Sequence, residues 1–297
     1  MPSSVLIVNP NASGVTPDVT VAVEEALRAA GELETILTER PAHGAEIAEA
    51  ASRGGAERIY VFSGDGGYNE VVNGLAGDLP LGFIPGGSTS VFPRALRIPR
   101  DPVAAARSLG GSTTERRISL GRVNGRRFTF SAGFGIDAEL VRRVDELGRA
   151  SGKRASDLAF ARTLAGIFAE HRARFEPVME VEGLGRVAFA LVANGHPYSY
   201  VGRVPLRIAP KAKFELGLDL VAPRELKARR LPQVAVWALA GKGQVRSPHV
   251  LYVHDADELV VRADRPMPLQ VDGEDLGDVC EAHFEAERSA LRVLVPE

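Results

Sequence analysis

The stretch Ser63-Gly64-Asp65-Gly66-Gly67-Tyr68-Asn69-Glu70 decides the fold of the N-terminal half of this chain. It follows the apolar run 58–62, which is typical of a buried strand, and precedes 71–75, which completes a short helix. Glycines at such a junction let backbone N–H groups approach a phosphate, and the helix N-terminus favours negative charge. Asp65 could serve a phosphate-bound magnesium ion. A tight turn with Asp65 as a helix cap explains the same residues, and both interpretations stay open here.

Composition excludes several function classes. The chain has 297 residues, 45% of them hydrophobic, which is enough for a proper core. Its net charge of -2 gives no case for nucleic-acid binding, so we expect no nucleic-acid partner. The single cysteine, Cys280, excludes an internal disulfide and a cysteine metal cluster. No apolar stretch has the length of a membrane span and no signal peptide is recognisable, so we expect a cytoplasmic protein.

The distribution of lysine narrows the phosphate chemistry. The first lysine in the chain is Lys153, and no GxxxxGK[ST] sequence occurs. A Walker-type loop depends on that lysine to reach the phosphates, so this class of nucleotide site is excluded. A nucleotide site in the N-terminal half must therefore use backbone amides, hydroxyls, arginines and a metal.

Strand and helix signals alternate over the first hundred residues. Because each short apolar strand is followed by a loop and a helix, we predict an α/β domain with a parallel sheet covered on both faces. Ligands of such sheets bind beyond the carboxyl ends of the strands, where the loops after residues 8, 62 and 84 fall. The predicted strands are 5–8, 33–38, 59–62 and 81–84, and the predicted helices are 18–30 and 45–53.

The pattern changes near residue 115. Asn124-Gly125 between two apolar runs is a strong hairpin signal, and two helices are predicted over 138–147 and 155–171. From residue 176 onward we predict mainly strands separated by Gly, Pro and Asp. The fold class is therefore α/β with two domains, a parallel-sheet N-terminal domain and a β-rich antiparallel second domain, with a boundary near residue 122.

Two more glycine motifs occur. Pro85-Gly86-Gly87-Ser88-Thr89-Ser90 follows the fourth strand and offers backbone amides and hydroxyls to a phosphate. A helix start capped by Ser88 is the plainer interpretation and is compatible with phosphate contact. Gly133-Phe134-Gly135-Ile136-Asp137-Ala138 matches the dinucleotide pattern GxGxxA, but it follows a hairpin rather than a first strand. Close packing of the backbone is therefore favoured there.

Two acidic turns carry further hypotheses. Asp272-Gly273-Glu274 is either an ordinary Asp-Gly turn or a site where Asp272 is a general base and Glu274 supports it. The segment 214–219 could hold a cation through carboxylate and carbonyl oxygens, although solvated turn charges are the default.

A basic cluster lies in the predicted helices. The span 139–174 carries eight basic and five acidic residues. Such a run is usually a solvated face, but it could also contact anionic lipid. The cluster consists of Arg142, Arg143, Arg149, Lys153 and Arg154.

Taken in order, these motifs resemble the diacylglycerol kinase catalytic family, which includes bacterial lipid kinases and sphingosine kinases and is related to NAD kinases and phosphofructokinases. The segment from Gly64 is similar to its GGDGTxNEVxNG signature, and Gly87 to Arg94 is similar to its GTxNxFAR segment. Asp272-Gly273-Glu274 matches its DGE. The other matching segments are 9–14, Thr38-Glu39, 134–138, Asn194-Gly195, 209–212 and 217–219.

The resemblance implies an ATP- and Mg²⁺-dependent lipid kinase with domains 1–122 plus about 286–297 and 123–285. Its implied partners are a lipid alcohol, with diacylglycerol as the default, and transiently the inner membrane surface; a homodimer is one assembly it allows. Its implied place is lipid metabolism and phospholipid biosynthesis. Asp272 would accept the proton of the lipid hydroxyl, next to Glu274. Glu215 and the carbonyls of Leu218 and Leu220 would hold a structural magnesium. The nucleotide contacts would be Asn9, Thr38, Gly64, Asp65, Gly66, Gly67, Asn69, Glu70, Gly87 and Ser88.

The chain departs from the signature at several positions. Its threonine is replaced by Gly67, its first glycine by Ser63, the asparagine of the second loop by Ser90, and the usual metal aspartate by Glu215. Each hydrogen bond lost to a charged phosphate would cost about 1.5–3 kcal/mol. A kinase of a soluble substrate, similar to NAD kinases, and a catalytically impaired nucleotide- or lipid-binding relative therefore stay open as alternatives.

Overall fold

The computed structural model describes residues 4–111, 113–151 and 157–297. Lys153 and Arg154 of the basic cluster lie outside these ranges. The chain divides into two compact units, Met1–Leu120 with Arg288–Glu297 (unit 1) and Gly121–Glu287 (unit 2). Among the described residues, no helix has the length and apolar character needed to cross a membrane.

Unit 1 is built on a parallel sheet. Its strands β1, β3 and β4 are short and largely buried, as strands covered on both faces must be, whereas the edge strand β2 is partly exposed. The sheet order is β4-β3-β1-β2, and Val293 near the chain end pairs in parallel with Leu81. The elements are β1 (Ser4–Val8), α1 (Pro17–Arg28), β2 (Leu33–Leu37), α2 (His43–Arg53), β3 (Arg58–Ser63), α3 (Asp65–Gly74), β4 (Leu81–Pro85), α4 (Val91–Ala95), α5 (Pro102–Gly110) and β5 (Thr113–Val123).

The core of unit 1 follows from the strand sequences. Leu6, Val61 and Phe83 are essentially inaccessible on β1, β3 and β4. Tyr68 of α3 and Phe92 of α4 both pack edge-to-face on Phe83, with ring centroids 5.3 and 4.8 Å away. These aromatic contacts fix the two helices whose first residues follow β3 and β4.

Unit 2 is dominated by antiparallel strands. The order β16-β14-β11-β7-β17-β18 forms its main sheet, and β9 adds to β17. The elements are β6 (Arg126–Phe128), β7 (Ser131–Phe134), α6 (Ile136–Ser151), α7 (Asp157–Glu170), β8 (Arg174–Phe175), β9 (Met179–Val181), β10 (Gly185–Val187), β11 (Ala190–Ala193), β12 (Ser199–Val201), β13 (Val204–Leu206), β14 (Leu218–Pro223), β15 (Leu226–Lys227), α8 (Leu231–Ala240), β16 (Val250–Ala256), β17 (Glu258–Val271) and β18 (Glu274–Pro296).

The predicted fold class is confirmed, since a parallel α/β unit and a strand-rich antiparallel unit are both present. The Asn124-Gly125 hairpin joins β5 to β6, with φ of 48° and 87° at the two turn residues. Helix α8 was not predicted, because it lies in the region after residue 176 where the sequence predicts mainly strands. Its Pro near the first turn and Gly241 after its last residue are ordinary helix signals that also separate strands.

Candidate active site

Three loops meet at the carboxyl edge of the parallel sheet in unit 1. The amide of Gly86 donates to the carbonyl of Ser63 at 2.7 Å, and the amide of Gly14 donates to the carbonyl of Gly86 at 2.7 Å. A β-carbon on Gly14 would lie 3.0 Å from the Gly86 oxygen, and one on Gly86 would lie 2.9 Å from the Ser63 oxygen. Glycine is required at both positions because the backbones approach so closely.

The glycine loop after β3 is the first turn of α3. Gly64 caps the helix in an extended conformation, and Asp65, Gly66 and Gly67 are its first residues. A β-carbon on Gly66 would meet no atom of the described residues within 4 Å. N–H groups in a first helical turn lack helical partners and are suited to anions. The start of α3 therefore offers donors beside open space, as a phosphate site requires.

Asp65 joins the two glycine loops. Its carboxylate is buried, and its two oxygens accept the amides of Val91 at 3.0 Å and Phe92 at 3.1 Å. These amides belong to the first turn of α4, so Asp65 caps α4 although it lies in α3. Asp65 is therefore a helix cap, as one interpretation of the sequence proposed, but it caps α4 and so links two neighbouring loops.

Tyr68 is a buried residue of this edge that the sequence analysis did not single out. Its hydroxyl lies 2.6 Å from the carbonyl oxygen of Ser63 and 2.8 Å from that of Ile84. Burial, together with the negative charge of Asp65, raises the pKa of the Tyr68 phenol well above its ordinary value. Tyr68 is therefore a neutral donor that ties the ends of β3 and β4 together.

Glu70 positions the loop that follows β2. Its Oε1 accepts the amide of Ala42 at 3.0 Å and its Oε2 accepts the amide of Gly44 at 3.2 Å. Both amides are at the start of α2, so the carboxylate caps that helix from α3. The hydrogen bonds give Glu70 a role in placing the segment after Thr38.

A small cavity of about 10 Å³ lies among these loops, about the size of one water molecule. Four predicted nucleotide contacts line it, together with Ser63. The lining residues are Ile7, Asn9, Thr38, Gly44, Val61, Ser63, Gly67, Glu70 and Val71. The structure thus brings residues from the ends of β1, β2 and β3 to one place.

The remaining predicted contacts lie nearby in the chain but do not line this cavity. Gly87 and Ser88 are in the loop before α4, where the Ser90 hydroxyl accepts the amide of Gly87 at 3.1 Å. Asn69 is buried within α3, and the side-chain amide of Asn73 donates to its carbonyl oxygen at 2.8 Å.

The Ser63 side chain fills the space next to Gly67. A β-carbon on Gly67 would lie only 2.0 Å from the Ser63 Oγ and 2.8 Å from its β-carbon. The Ser63 Oγ is buried, and it has no hydrogen-bond partner among the residues that the structure describes. The two departures from the signature are therefore sterically coupled: a threonine at position 67 has no room beside Ser63, and the Ser63 hydroxyl occupies its place.

Asp272 of unit 2 is held by four donors. One carboxylate oxygen accepts the amide and the hydroxyl of Thr129 at 2.6 and 2.9 Å. The other accepts the amides of Phe130 and Ser131 at 3.0 and 3.2 Å. These donors contact both carboxylate oxygens, so they set the orientation of the carboxylate firmly.

Glu274 lies on the other side of the same turn and has a different partner. Asp272 and Gly273 have φ of 49° and 85°, which makes them the tight Asp-Gly turn between β17 and β18. The Glu274 carboxylate accepts a hydrogen bond from Arg126 at 3.0 Å, and its side chain is 47% exposed. The two predicted catalytic carboxylates thus have different described partners, Arg126 for Glu274 and the segment 129–131 for Asp272.

Asp137 belongs to a polar cluster next to Asp272. Its Oδ2 accepts the hydroxyl of Tyr198 at 2.8 Å and the side-chain amide of Gln270 at 2.6 Å. Burial raises the pKa of the Asp137 carboxyl above its ordinary value. A β-carbon on Gly133 would lie 2.2 Å from the same oxygen, which explains a glycine in the GxGxxA match by close packing on Asp137.

The predicted magnesium ligands have the right chemistry but do not form a carboxylate cluster. Glu215 is exposed, and a bulge interrupts the pairing of β14 with β16 between Leu218 and Leu220. Among the described residues, no group of three or more His, Cys, Asp or Glu could hold a metal. Asp219 lies between Leu218 and Leu220 in the sequence. It is fully buried and accepts hydrogen bonds from Tyr252 at 2.6 Å and His254 at 2.7 Å.

Ion pairs occupy the described part of the basic cluster. Arg142 contacts Asp275 at 2.8 Å and Asp278 at 2.6 Å, and Arg143 contacts Glu170 at 2.7 Å. These contacts neutralise both arginines within unit 2. For Arg142 and Arg143, the geometry favours an internally paired face over a lipid-binding one.

Comparisons with known proteins show similarity to diacylglycerol kinases. The profile of the diacylglycerol kinase catalytic domain matches residues 3–123. A diacylglycerol kinase from Bacillus subtilis (strain 168) is 32% identical over 224 residues, which cover 73% of this chain and 70% of that protein. A diacylglycerol kinase from Staphylococcus haemolyticus is 27% identical over 296 residues, covering 95% and 83%. The solved structure of a diacylglycerol kinase from Bacillus anthracis has the same fold, with a TM-score of 0.72, 19% identity and coverage of 99% and 96%.

Proposed function

The chain belongs to the diacylglycerol kinase catalytic-domain family, and from this premise we propose that it transfers the γ-phosphoryl group of ATP to the hydroxyl of a lipid alcohol. Diacylglycerol is the proposed acceptor because the related proteins carry that name. The observation that carries the proposal is the joining of two glycine loops by Asp65 at the carboxyl edge of the unit 1 sheet.

We assign nucleotide binding to the domain 1–122 with 286–297. The proposed phosphate site is the start of α3, where Gly66 lies beside open space in the first helical turn. The Ser63 hydroxyl supplies the side-chain donor that the family signature places at position 67. A buried hydroxyl without a partner among the described residues is suited to this role, because a phosphate oxygen would satisfy it.

We assign the acceptor to the domain 123–285, with Asp272 as the general base. The lipid oxygen attacks the γ-phosphorus, the bond from phosphorus to the bridging oxygen of ADP breaks, and the hydroxyl proton passes to the carboxylate. Such transfers have a loose transition state, so positioning and charge stabilisation carry most of the catalysis. The three backbone amides on Asp272 hold the carboxylate in a fixed orientation for the proton.

A lipid hydroxyl needs room beside the Asp272 carboxylate, and one of the donors described there can make that room. The Thr129 hydroxyl is the donor that can rotate, whereas the three amides are fixed in the backbone of the β6–β7 connection. We therefore assign Thr129 a positioning role: its hydroxyl holds Asp272 in the free protein and yields that place to the lipid hydroxyl.

The magnesium assignment rests on donor chemistry. One carboxylate and two carbonyl oxygens, from Glu215, Leu218 and Leu220, are ligands that a hard cation prefers, and the bulge in β14 interrupts strand pairing at this point. A Mg²⁺ ion held there would be the structural magnesium that the family resemblance implies.

The experiment that tests the function uses the purified chain with labelled ATP, Mg²⁺ and separate acceptors. Label in an organic-extractable product from diacylglycerol supports the proposal. Label in NADP when NAD is the acceptor identifies a soluble-substrate kinase, and ATP binding without any transfer identifies an impaired relative. Either of the latter results would refute the proposed function.

Asp272→Asn tests the base. We expect transfer to fall about 10²- to 10⁴-fold while ATP affinity is kept, because an amide cannot accept the proton. Asp264→Asn is the matched control, since Asp264 is an exposed unit 2 aspartate paired with Arg186. Thr129→Val should reduce transfer far less than Asp272→Asn. Near-normal transfer by a folded, ATP-binding Asp272→Asn protein would exclude the assignment.

A further inference from the structure

Helix α8 (Leu231–Ala240) is apolar on its solvent side. It contains no charged residue, and its exposed residues are apolar except for Gln233; the apolar positions 232, 235, 236, 239 and 240 share one face by helical spacing. Val236 is 60% exposed and Leu239 is 52% exposed. A helix on the surface of a soluble domain ordinarily turns polar residues to water, so this face is unusual.

The opposite face of α8 already has its partners. Leu231 and Val234 pack against the cluster formed around Ile136 and Leu140 of α6. Val236 and Leu239 point away from this cluster, so packing against the core of unit 2 does not account for their apolar side chains.

Basic residues flank α8 on both sides. Residues 224–246 contain six basic residues and one acidic residue, a local balance of +5 in a chain whose net charge is -2. Arg229 precedes the helix, and Lys242 and Arg246 follow it; all three are exposed. The only acidic residue of the segment, Glu225, pairs with Lys227.

The β12–β13 hairpin extends the same surface. The amide of Arg207, just after the hairpin, donates to the carbonyl of Ala238 in α8 at 2.5 Å. Val201 and Val204 of the hairpin are 40% and 49% exposed, and Arg203 between them is exposed. We call this surface the α8 patch; it consists of Val201, Arg203, Val204, Arg229, Val236, Leu239, Lys242 and Arg246.

We propose that the α8 patch binds the surface of an anionic phospholipid bilayer. An apolar helix face with cationic residues around it matches the boundary between acyl chains and negatively charged headgroups. With ten residues, α8 is about 15 Å long, so it lies in the plane of the interface instead of crossing it. The inference rests on the proposed function in that a lipid acceptor resides in such a bilayer, but the binding itself requires no ATP.

The test is co-sedimentation of the full chain with vesicles of phosphatidylcholine, with and without phosphatidylglycerol. We expect the wild-type chain to bind the anionic vesicles and to bind them less in high salt. Val236→Ser with Leu239→Ser should weaken binding at least tenfold, because the two exposed apolar side chains are lost. The triple change Arg229→Gln, Lys242→Gln and Arg246→Gln should also weaken it at least tenfold, since each basic residue near such a surface contributes about fivefold.

Val21→Ser is the matched control, because Val21 of α1 is 53% exposed on unit 1 and lies outside the patch. It should bind vesicles as the wild-type chain does. All variants change exposed side chains, so their thermal unfolding should match that of the wild-type chain.

Vesicle binding that is equal in the wild-type chain and both patch variants would overturn the proposal. A wild-type dimer that the Val236→Ser, Leu239→Ser variant dissociates, without an effect on vesicle binding, would instead make the patch an interface between copies of this chain. Because no ATP is present, patch-dependent vesicle binding stands even if the labelled-ATP experiment shows no transfer. The two proposals therefore fail separately.

Discussion

Gly67→Thr restores the residue that the family signature has at this position, and we expect it to damage the protein. A β-carbon at position 67 would lie 2.0 Å from the Ser63 Oγ, well inside contact distance. Ser63 is only 1% exposed, so its side chain cannot turn into water. Either the end of β3 or the first turn of α3 must shift to make room.

The magnitude follows from this overlap. Inserting atoms into a packed site costs typically about 1–3 kcal/mol of unfolding free energy. Ser63→Gly removes the obstacle and, since the Ser63 Oγ has no partner among the described residues, breaks no hydrogen bond of the described structure. The double variant Ser63→Gly, Gly67→Thr should therefore be more stable than the sum of the single changes by about 1–3 kcal/mol, the coupling typical of residues in contact.

Urea titration of the four proteins measures this coupling, and calorimetry with ATP measures its functional counterpart. Ser63→Ala should bind ATP about ten- to hundredfold more weakly, the equivalent of one charge-assisted hydrogen bond. The double variant should recover that affinity, because its threonine hydroxyl returns to the family position. A Gly67→Thr protein as stable as the wild-type chain would refute the steric argument. Unchanged ATP affinity in Ser63→Ala would refute the role of the hydroxyl.

Two further predictions concern carboxylates. Glu70→Ala should lower the unfolding free energy by about 1–2 kcal/mol, because it uncaps α2, whereas Glu49→Ala on the exposed face of α2 should have little effect in the same urea titration. Asp137 has a raised pKa, so the folded state binds its proton more tightly than the unfolded chain does. Its contribution to stability is present below the ordinary carboxyl pKa and is lost as pH rises through the raised value. Asp137→Asn should flatten this acid-side dependence, and an unchanged slope would contradict the assignment.

Much of unit 1 could be predicted from sequence because its signals are local. Continuous apolar runs such as Ile59–Phe62 indicate strands buried on both faces, and their loops fall at one edge by topology alone. The coupling of Ser63 to Gly67 could not be predicted in that way. A comparison with the family signature treats each position separately, so Ser63 and Gly67 count as two independent departures from it. In the folded chain the two departures are sterically coupled.

Helix α8 shows a second limit of sequence reasoning. The seven apolar residues 234–240, between Pro232 and Gly241, are compatible with strand or helix, and neither period dominates in them. Even a correct helix prediction would have placed the run in the core, since apolar residues are ordinarily buried. Only the three-dimensional structure shows that Val236 and Leu239 face solvent. It also shows that Leu231 and Val234 pack against the hydrophobic core.

Three aspartates that look alike in sequence have different capacities because they meet different donors. Asp65 meets two backbone amides and is fixed as a clamp between two helices. Asp137 meets a phenol and a side-chain amide in surroundings that favour its neutral form. Asp272 meets three backbone amides and one hydroxyl that can rotate away. A general base needs room for an incoming proton, and rotation of the Thr129 hydroxyl would provide that room at Asp272. For this reason the test of the mechanism pairs Asp272→Asn with Thr129→Val.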